Sequence, residues 1–199
     1  MKKLLLFVLF VVVLQLFTTH LSAEQKTLSP EALNLIKQYE LLKTNPTNTI
    51  QLSYLKAFPQ NKGGFTNLFD PEDFTELYSS SDQYISILGD LSGEFKREVG
   101  LLLISITREG APGCCDAWSA LHKVTANFGV KNTQSFASLL TALDDVARRN
   151  VVRFIADKKN HYVFHDYQVI IDNLRKLKEN TLAEQFESER TRRMAIKDH

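Results

Sequence analysis

From Val130 to His199 the chain contains neither glycine nor proline. These two residues punctuate helices and supply most tight turns, so a run this long without either disfavours a sheet of short strands. It favours long helices joined by brief polar breaks. The apolar residues agree. Phe136, Leu139, Leu140, Leu143 and Val146 recur at three- and four-residue intervals, the spacing of one helix face. Asn132-Thr133 is the expected cap of that helix, which continues or bends near Asn150 into Val151, Val152, Phe154 and Ile155. After a break around Lys158 to His161, Tyr167, Ile170, Leu174 and Leu177 define another stripe. From Arg175 onward the chain is densely charged, with Leu182 and Phe186 as apolar anchors. Glu189 and Arg193, four apart, would support a helix there.

The first half is divided by local start and stop signals. Ser29-Pro30-Glu31 combines a cap, a proline suited to the first helical position and an acid at the positive end of the dipole. Leu33, Ile36, Tyr39 and Leu41-Leu42 give the inward stripe, and Asn45-Pro46 ends the helix. A second helix is expected over 49–58. Pro59 to Gly64 reads as a turn, because paired glycines and a proline break regular structure. Phe65, Leu68 and Phe69 then make a short apolar turn, and Asp70-Pro71-Glu72-Asp73 starts a helix carrying Phe74, Leu77 and Tyr78. Ser80 and Gln83 have capping-box spacing ahead of Tyr84, Ile87, Leu88 and Leu91. Within Glu94 to Glu109, Val99 to Ile106 is compatible with a buried strand, but Phe95, Val99, Leu102, Leu103 and Ile106 match the helical template. The stretch therefore reads as a central buried helix stopped by Gly110, and 116–128 as a helix closed by Gly129. The fold class is therefore all-α, a compact bundle or short helical array of about eight helices.

The N-terminus carries a different signal. Met1-Lys2-Lys3 is a short positive region, Leu4 to Phe17 is almost unbroken apolar sequence, and Thr18 to Ala23 turns polar and ends small. That order predicts a secretory signal peptide over residues 1–23, cleaved after Ala23. The apolar run is shorter than the roughly 20 residues that span a bilayer, which disfavours the alternative of an uncleaved anchor. Residues 24–199 are then one helical domain, with 180–199 a charged tail, helical or partly disordered. The expected location is periplasmic or extracellular, with no membrane span in the mature chain.

Of the 199 residues, 44% are hydrophobic and 24% charged, the balance of an ordinary globular chain. Lys2 and Lys3 belong to the leader, so 22 of the 24 basic residues remain, against 23 acidic ones. A nearly neutral mature chain lacks the basic footprint of nucleic-acid binding.

Chemistry-bearing residues are sparse. Cys114 and Cys115 are the only cysteines, and they are adjacent. An exported chain meets oxidising conditions, which permits a vicinal disulfide. Neighbouring Cα atoms lie about 3.8 Å apart, so such a bond would be strained and easily reduced. The competing reading is two thiols at a helix start, packed as small hydrophobes; a bond to another chain is a third. His161 and His165, four apart, would share a helix face, with Asp157 or Asp166 as an oxygen ligand for zinc. Tyr162, Val163 and Phe164 between them read instead as packing at a helix entrance. His122 on its helix is expected to be structural. Asp70, Glu72, Asp73 and Glu76, like Asp144-Asp145, fit caps and solvated faces better than acid–base pairs. Arg148, Arg149, Arg153, Lys158 and Lys159 form a basic stretch that is either a solvated face or a seat for an anionic partner. Phe58, Phe65, Phe69, Phe74, Tyr78 and Tyr84 crowd one third of the chain; any exposed subset would form a partner surface.

No nucleophile elbow, phosphate loop, dinucleotide fingerprint or Cys-x-x-Cys occurs. The expected role is therefore non-catalytic binding of a protein or another envelope component, without a cofactor. The alternatives are a motif-poor, metal-dependent hydrolase near His161 and His165, or a redox-sensitive protein using Cys114 and Cys115.

Overall fold

The computed structural model describes residues 28–69, 77–110, 116–156 and 164–195. All regular structure among them is helical: α1 (Pro30–Thr44), α2 (Asn48–Ala57), α3 (Lys62–Phe69), α4 (Ser81–Leu91), α5 (Lys96–Thr107), α6 (Asp116–Lys131), α7 (Thr133–Thr141), α8 (Asp145–Ile155), α9 (Phe164–Lys176) and α10 (Asn180–Ala195). A 3-10 turn, Tyr78–Ser80, leads into α4. The all-α class stands, but the described residues hold ten helices where about eight are expected from sequence.

Two local events contribute to the difference. Gly63 and Gly64 lie within α3, not in a turn. Asn61 Oδ1 accepts the Gly64 N–H at 2.9 Å and so satisfies an orphan donor of the first turn. Phe65 and Phe69, one turn apart and fully buried, anchor the helix into the core. Tertiary burial outweighs the glycine penalty of about 1 kcal/mol per residue. The second event is a break after Thr141. Asp144 accepts the Ala147 N–H at 2.8 Å and restarts the chain as α8. The restart rotates the stripe, so Val146 is 68% exposed although Phe136 and Leu140 on α7 are buried.

Other local expectations divide. Ser29 caps α1 through the Ala32 N–H at 3.1 Å, with Pro30 in the first turn. Leu33, placed inward by periodicity, is 53% exposed, whereas Ala32, Leu35 and Leu42 are buried. Gly110 stops the chain after α5 with φ +79°, the left-handed conformation that favours glycine. The Ser80–Gln83 capping box does not form: the Ser80 hydroxyl turns back onto the Leu77 carbonyl instead. The helix start at Asp70-Pro71-Glu72-Asp73 lies outside the described residues.

Helix α5 is central, packing against α2, α3, α4, α6, α7 and α8. Its Val99, Leu103 and Ile106 are fully buried. Around it one continuous hydrophobic cluster incorporates residues from Ala32 to Phe186. Aromatic contacts trace two seams through that cluster. Phe58, Phe65 and Phe69 pack against one another, Phe65 meets Trp118 of α6, and Trp118 in turn meets Phe154 of α8 edge-on. Farther along, Phe128, Phe136, Phe186 and Tyr167 connect α6, α7, α10 and α9. The charged C-terminal segment is thus docked through α10, where Leu182, Ala183 and Phe186 are buried.

Helix α6 runs through Gly129 to Lys131. The glycine there serves close packing, not termination, since a Cβ would sit 2.8 Å from Ile170 Cδ1 of α9. Gly100 in α5 has the same role: a Cβ would lie 2.5 Å from Leu139 Cδ1 and 2.8 Å from the Phe128 ring. Gly89 in α4 faces open space, with nothing within 4 Å of the point a Cβ would occupy. The two helical glycines should respond with opposite sign. Gly100→Val overpacks a filled crossing and should destabilise by about 2–3 kcal/mol. Gly89→Ala removes unfolded-chain entropy and should stabilise by about 0.5–1 kcal/mol. Urea denaturation of both variants checks the pair; a stabilised Gly100→Val protein would contradict the packing described.

Candidate functional site

Cys114, Cys115 and His161, with the side chain of His165, lie outside the described residues, as do Lys158, Lys159 and the Asp70–Glu76 acidic group. Among the described residues no group of three or more His, Cys, Asp or Glu side chains is placed to hold a metal ion. No described helix is long and apolar enough to cross a membrane.

His122 is buried on α6, its Nε2 2.9 Å from the Ile155 carbonyl, with its ring edge-on to Phe154. That is a structural arrangement tying α6 to the end of α8. The aromatic-rich third of the chain does not present a described aromatic surface: Phe58, Phe65, Phe69 and Tyr84 are buried and Tyr78 is half-buried. Phe74 lies outside the described residues.

Two buried phenols fasten helices to one another. Tyr54 of α2 donates to the Tyr84 carbonyl at 2.6 Å, and Tyr167 of α9 donates to the Phe186 carbonyl at 2.5 Å. Burial pushes the hydroxyl pKa of each far above the ordinary tyrosine value; nearby Tyr39 and Tyr84 add to this at Tyr54, and Glu189 adds to it at Tyr167. Both remain protonated donors through the neutral and mildly alkaline range.

Two places among the described residues offer surface relief. The first crosses the C-terminal end of α2. A cavity of about 500 Å³ is bounded by the start of α1, the end of α2 and α3, and includes Glu31, Asn34, Asn67 and Leu68. A second, of about 370 Å³, runs between α2 and α5 along Leu52, Leu101, Glu98 and Ser105. Lys56 and Gln60 line both, so the two form one continuous surface. Its junction is firmly held. Gln60 Nε2 donates to the Leu55 and Phe58 carbonyls at 2.8 and 2.6 Å, closing the exposed end of α2. Ser105 Oγ donates to the Gln60 carbonyl at 2.7 Å, fixing this corner to α5. Leu101, 48% exposed on α5, is an uncovered apolar anchor, and Lys56, Glu98 and Glu31 supply exposed charges of both signs.

The second place is a cleft of about 200 Å³ between α8 and α10, lined by Asp145, Arg149, Val152, Gln185, Ser188 and Glu189. Helical spacing puts Asp145, Arg149 and Val152 on one face of α8, opposite Gln185, Ser188 and Glu189 of α10. Glu189 is 8% exposed. Its Oε2 accepts Arg153 Nε at 3.1 Å and lies 4.0 Å from Arg192 Nε. The Glu189–Arg193 pair expected from spacing is replaced by this contact across helices. Arg148 pairs with Asp145. The basic stretch is therefore divided: Arg148 and Arg153 are engaged in ion pairs, and Arg149 is exposed at the cleft.

The spacing of residues marks Arg149 within a basic stretch, but it indicates neither the groove at α2 nor the α10 wall of the cleft. Gln60 and Ser105 are 45 positions apart, and Arg153 and Glu189 are 36 apart. No motif-length pattern spans such intervals. Comparison with protein-family models, with curated proteins and with solved structures finds no match.

Proposed function

We propose that this chain is an exported, non-catalytic binding module whose docking surface is the continuous groove across the end of α2. The observation that carries this reading is the junction at Lys56 and Gln60, where two cavities merge over a hydrogen-bonded, rigid corner. Their volumes fall within the roughly 300–1,000 Å³ typical of specific ligand sites. The surface is open along its length, which suits a segment of another protein better than an enclosed small molecule. Leu52 and Leu101 offer an apolar floor, and Lys56, Glu98 and Glu31 a rim of mixed charge, the anatomy of a protein interface. The N-terminal sequence of positive, apolar and small-residue zones supports export, with Glu24 as the first residue of the mature chain.

Site-specific cross-linking tests the reading in the native compartment. A photoactivatable residue replacing Leu101 should capture one recurrent protein. The same residue replacing Leu177, exposed at the end of α9, should not capture it. Lys56→Glu should lower the Leu101 yield by about tenfold, as expected for loss of roughly 1.4 kcal/mol. Equal capture from both positions, or none from Leu101, would overturn the assignment of this surface.

A further inference from the structure

We infer that the cleft between α8 and α10 is a second, independent site that binds a small solute through its oxyanion, with Arg149 as the principal contact. The argument begins with charge accounting at the cleft wall. Both lining carboxylates are already neutralised within the protein: Asp145 by Arg148, and Glu189 by Arg153, with Arg192 also close. Four guanidinium groups thus stand against two carboxylates. Arg149 lines the cleft and forms no ion pair or hydrogen bond among the described residues. Behind the wall, Arg148 Nε is buried without an acceptor, so donors exceed acceptors on this part of α8.

The remaining lining groups match the same chemistry. The Gln185 amide and the Ser188 hydroxyl can both donate, and neither is engaged in an internal hydrogen bond among the described residues. A guanidinium fork flanked by an amide and a hydroxyl is suited to a carboxylate or a phosphate, because it offers paired donors to a group with paired acceptors. Val152 provides a single apolar contact for the carbon skeleton. Size narrows the class. About 200 Å³ lies below the range of drug-sized ligands and fits a small organic acid or a small phosphate ester.

This site uses helices other than those forming the groove at α2 and α5, so its fate is separable from the proposed docking function. The test is calorimetric titration of the mature chain in low-chloride buffer with succinate and inorganic phosphate as probes, and succinamide as the uncharged control. Saturable binding of at least one anion is expected, with none for succinamide. Whichever anion binds more tightly identifies the source as carboxylate or phosphate. Arg149→Met should weaken binding at least tenfold, and Ser188→Ala severalfold. Arg97→Met, at an exposed position on α5, should leave it unchanged. Raising chloride should weaken the interaction, since mobile ions compete with and screen an exposed guanidinium. Arg149 is exposed, so its replacement should leave the helical circular dichroism intact, and that spectrum is recorded alongside. No saturable binding of either anion, or equal loss with Arg97→Met and Arg149→Met, would overturn the proposal.

Discussion

Replacing Trp118 by alanine should cost about 4 kcal/mol of stability, whereas replacing it by phenylalanine should cost only about 1 kcal/mol. Trp118 is 2% exposed, its ring 4.5 Å from Phe65 and 6.2 Å from Phe154. It therefore joins α3, α6 and α8 at one point. Alanine leaves a cavity between helices that cannot all move inward, and it removes two aromatic contacts of about 0.5–1.5 kcal/mol each. Phenylalanine keeps a ring against Phe65. It also removes the indole Nε1–H, which is buried with no hydrogen-bond partner among the described residues. Loss of that uncompensated donor offsets part of the lost volume, because a buried unsatisfied polar group itself costs about 1–3 kcal/mol. Urea denaturation followed by far-ultraviolet circular dichroism measures both variants without relying on tryptophan emission. Equal losses for the two substitutions would show that a ring at this junction carries little of the stability.

The second large effect is alkaline destabilisation. Above the ordinary tyrosine value near 10, an unfolded chain releases its phenolic protons. Tyr54 and Tyr167 retain theirs in the folded state, because burial raises both far above that value. The folded protein then holds more protons than the unfolded one, so unfolding becomes easier as pH rises. Each phenol adds a slope approaching about 1.4 kcal/mol per pH unit. Together they should remove about 2.5–3 kcal/mol between pH 9 and pH 11, with full stability from this source retained below pH 9. In the double variant Tyr54→Phe, Tyr167→Phe the steep segment should flatten. At neutral pH the same variant should lose about 2 kcal/mol, roughly 1 kcal/mol for each helix-to-helix hydrogen bond. Denaturation midpoints across pH 7 to 11 compare the two proteins. Parallel curves would mean that other groups govern the alkaline limb.

The proposed anion cleft and the aromatic seam depend on different parts of α8. Val151 and Phe154 are buried, while Arg149 on the opposite side is exposed. One short amphipathic helix thus contributes to both the core and a surface site. Its position follows from the cap at Asp144, which sets where α8 begins and which of its residues look inward. Moving that start by one residue would turn Arg149 by about 100°, the angular step of a helix with 3.6 residues per turn.

How much of this was legible beforehand depends on the range of the interaction. The helical class was readable because it rests on periodicity and on caps that act within four residues. Ser29 with Pro30, and Gly110 with its positive φ, behave as local chemistry dictates. The buried stripe of α5 was readable for the same reason, since Val99, Leu102, Leu103 and Ile106 recur at helical spacing. Sequence also showed where chemistry was scarce, with two cysteines, five histidines and no catalytic motif.

Tertiary structure decided everything that needed a distant partner. Gly129 looks like a stop, yet α6 continues through it because Ile170 of α9 occupies the space a side chain would need. Gly63-Gly64 looks like a turn, yet Phe65 and Phe69 bury enough surface to hold those residues helical. Glu189 has a helical partner four residues on, but it pairs with Arg153 across 36 positions because α8 and α10 pack together. The groove at Lys56 and Gln60 exists only once Ser105 is brought against the end of α2. Sequence spacing encodes which residues share a helix face; which faces meet is settled by packing among helices, whose free energy is summed over the whole core.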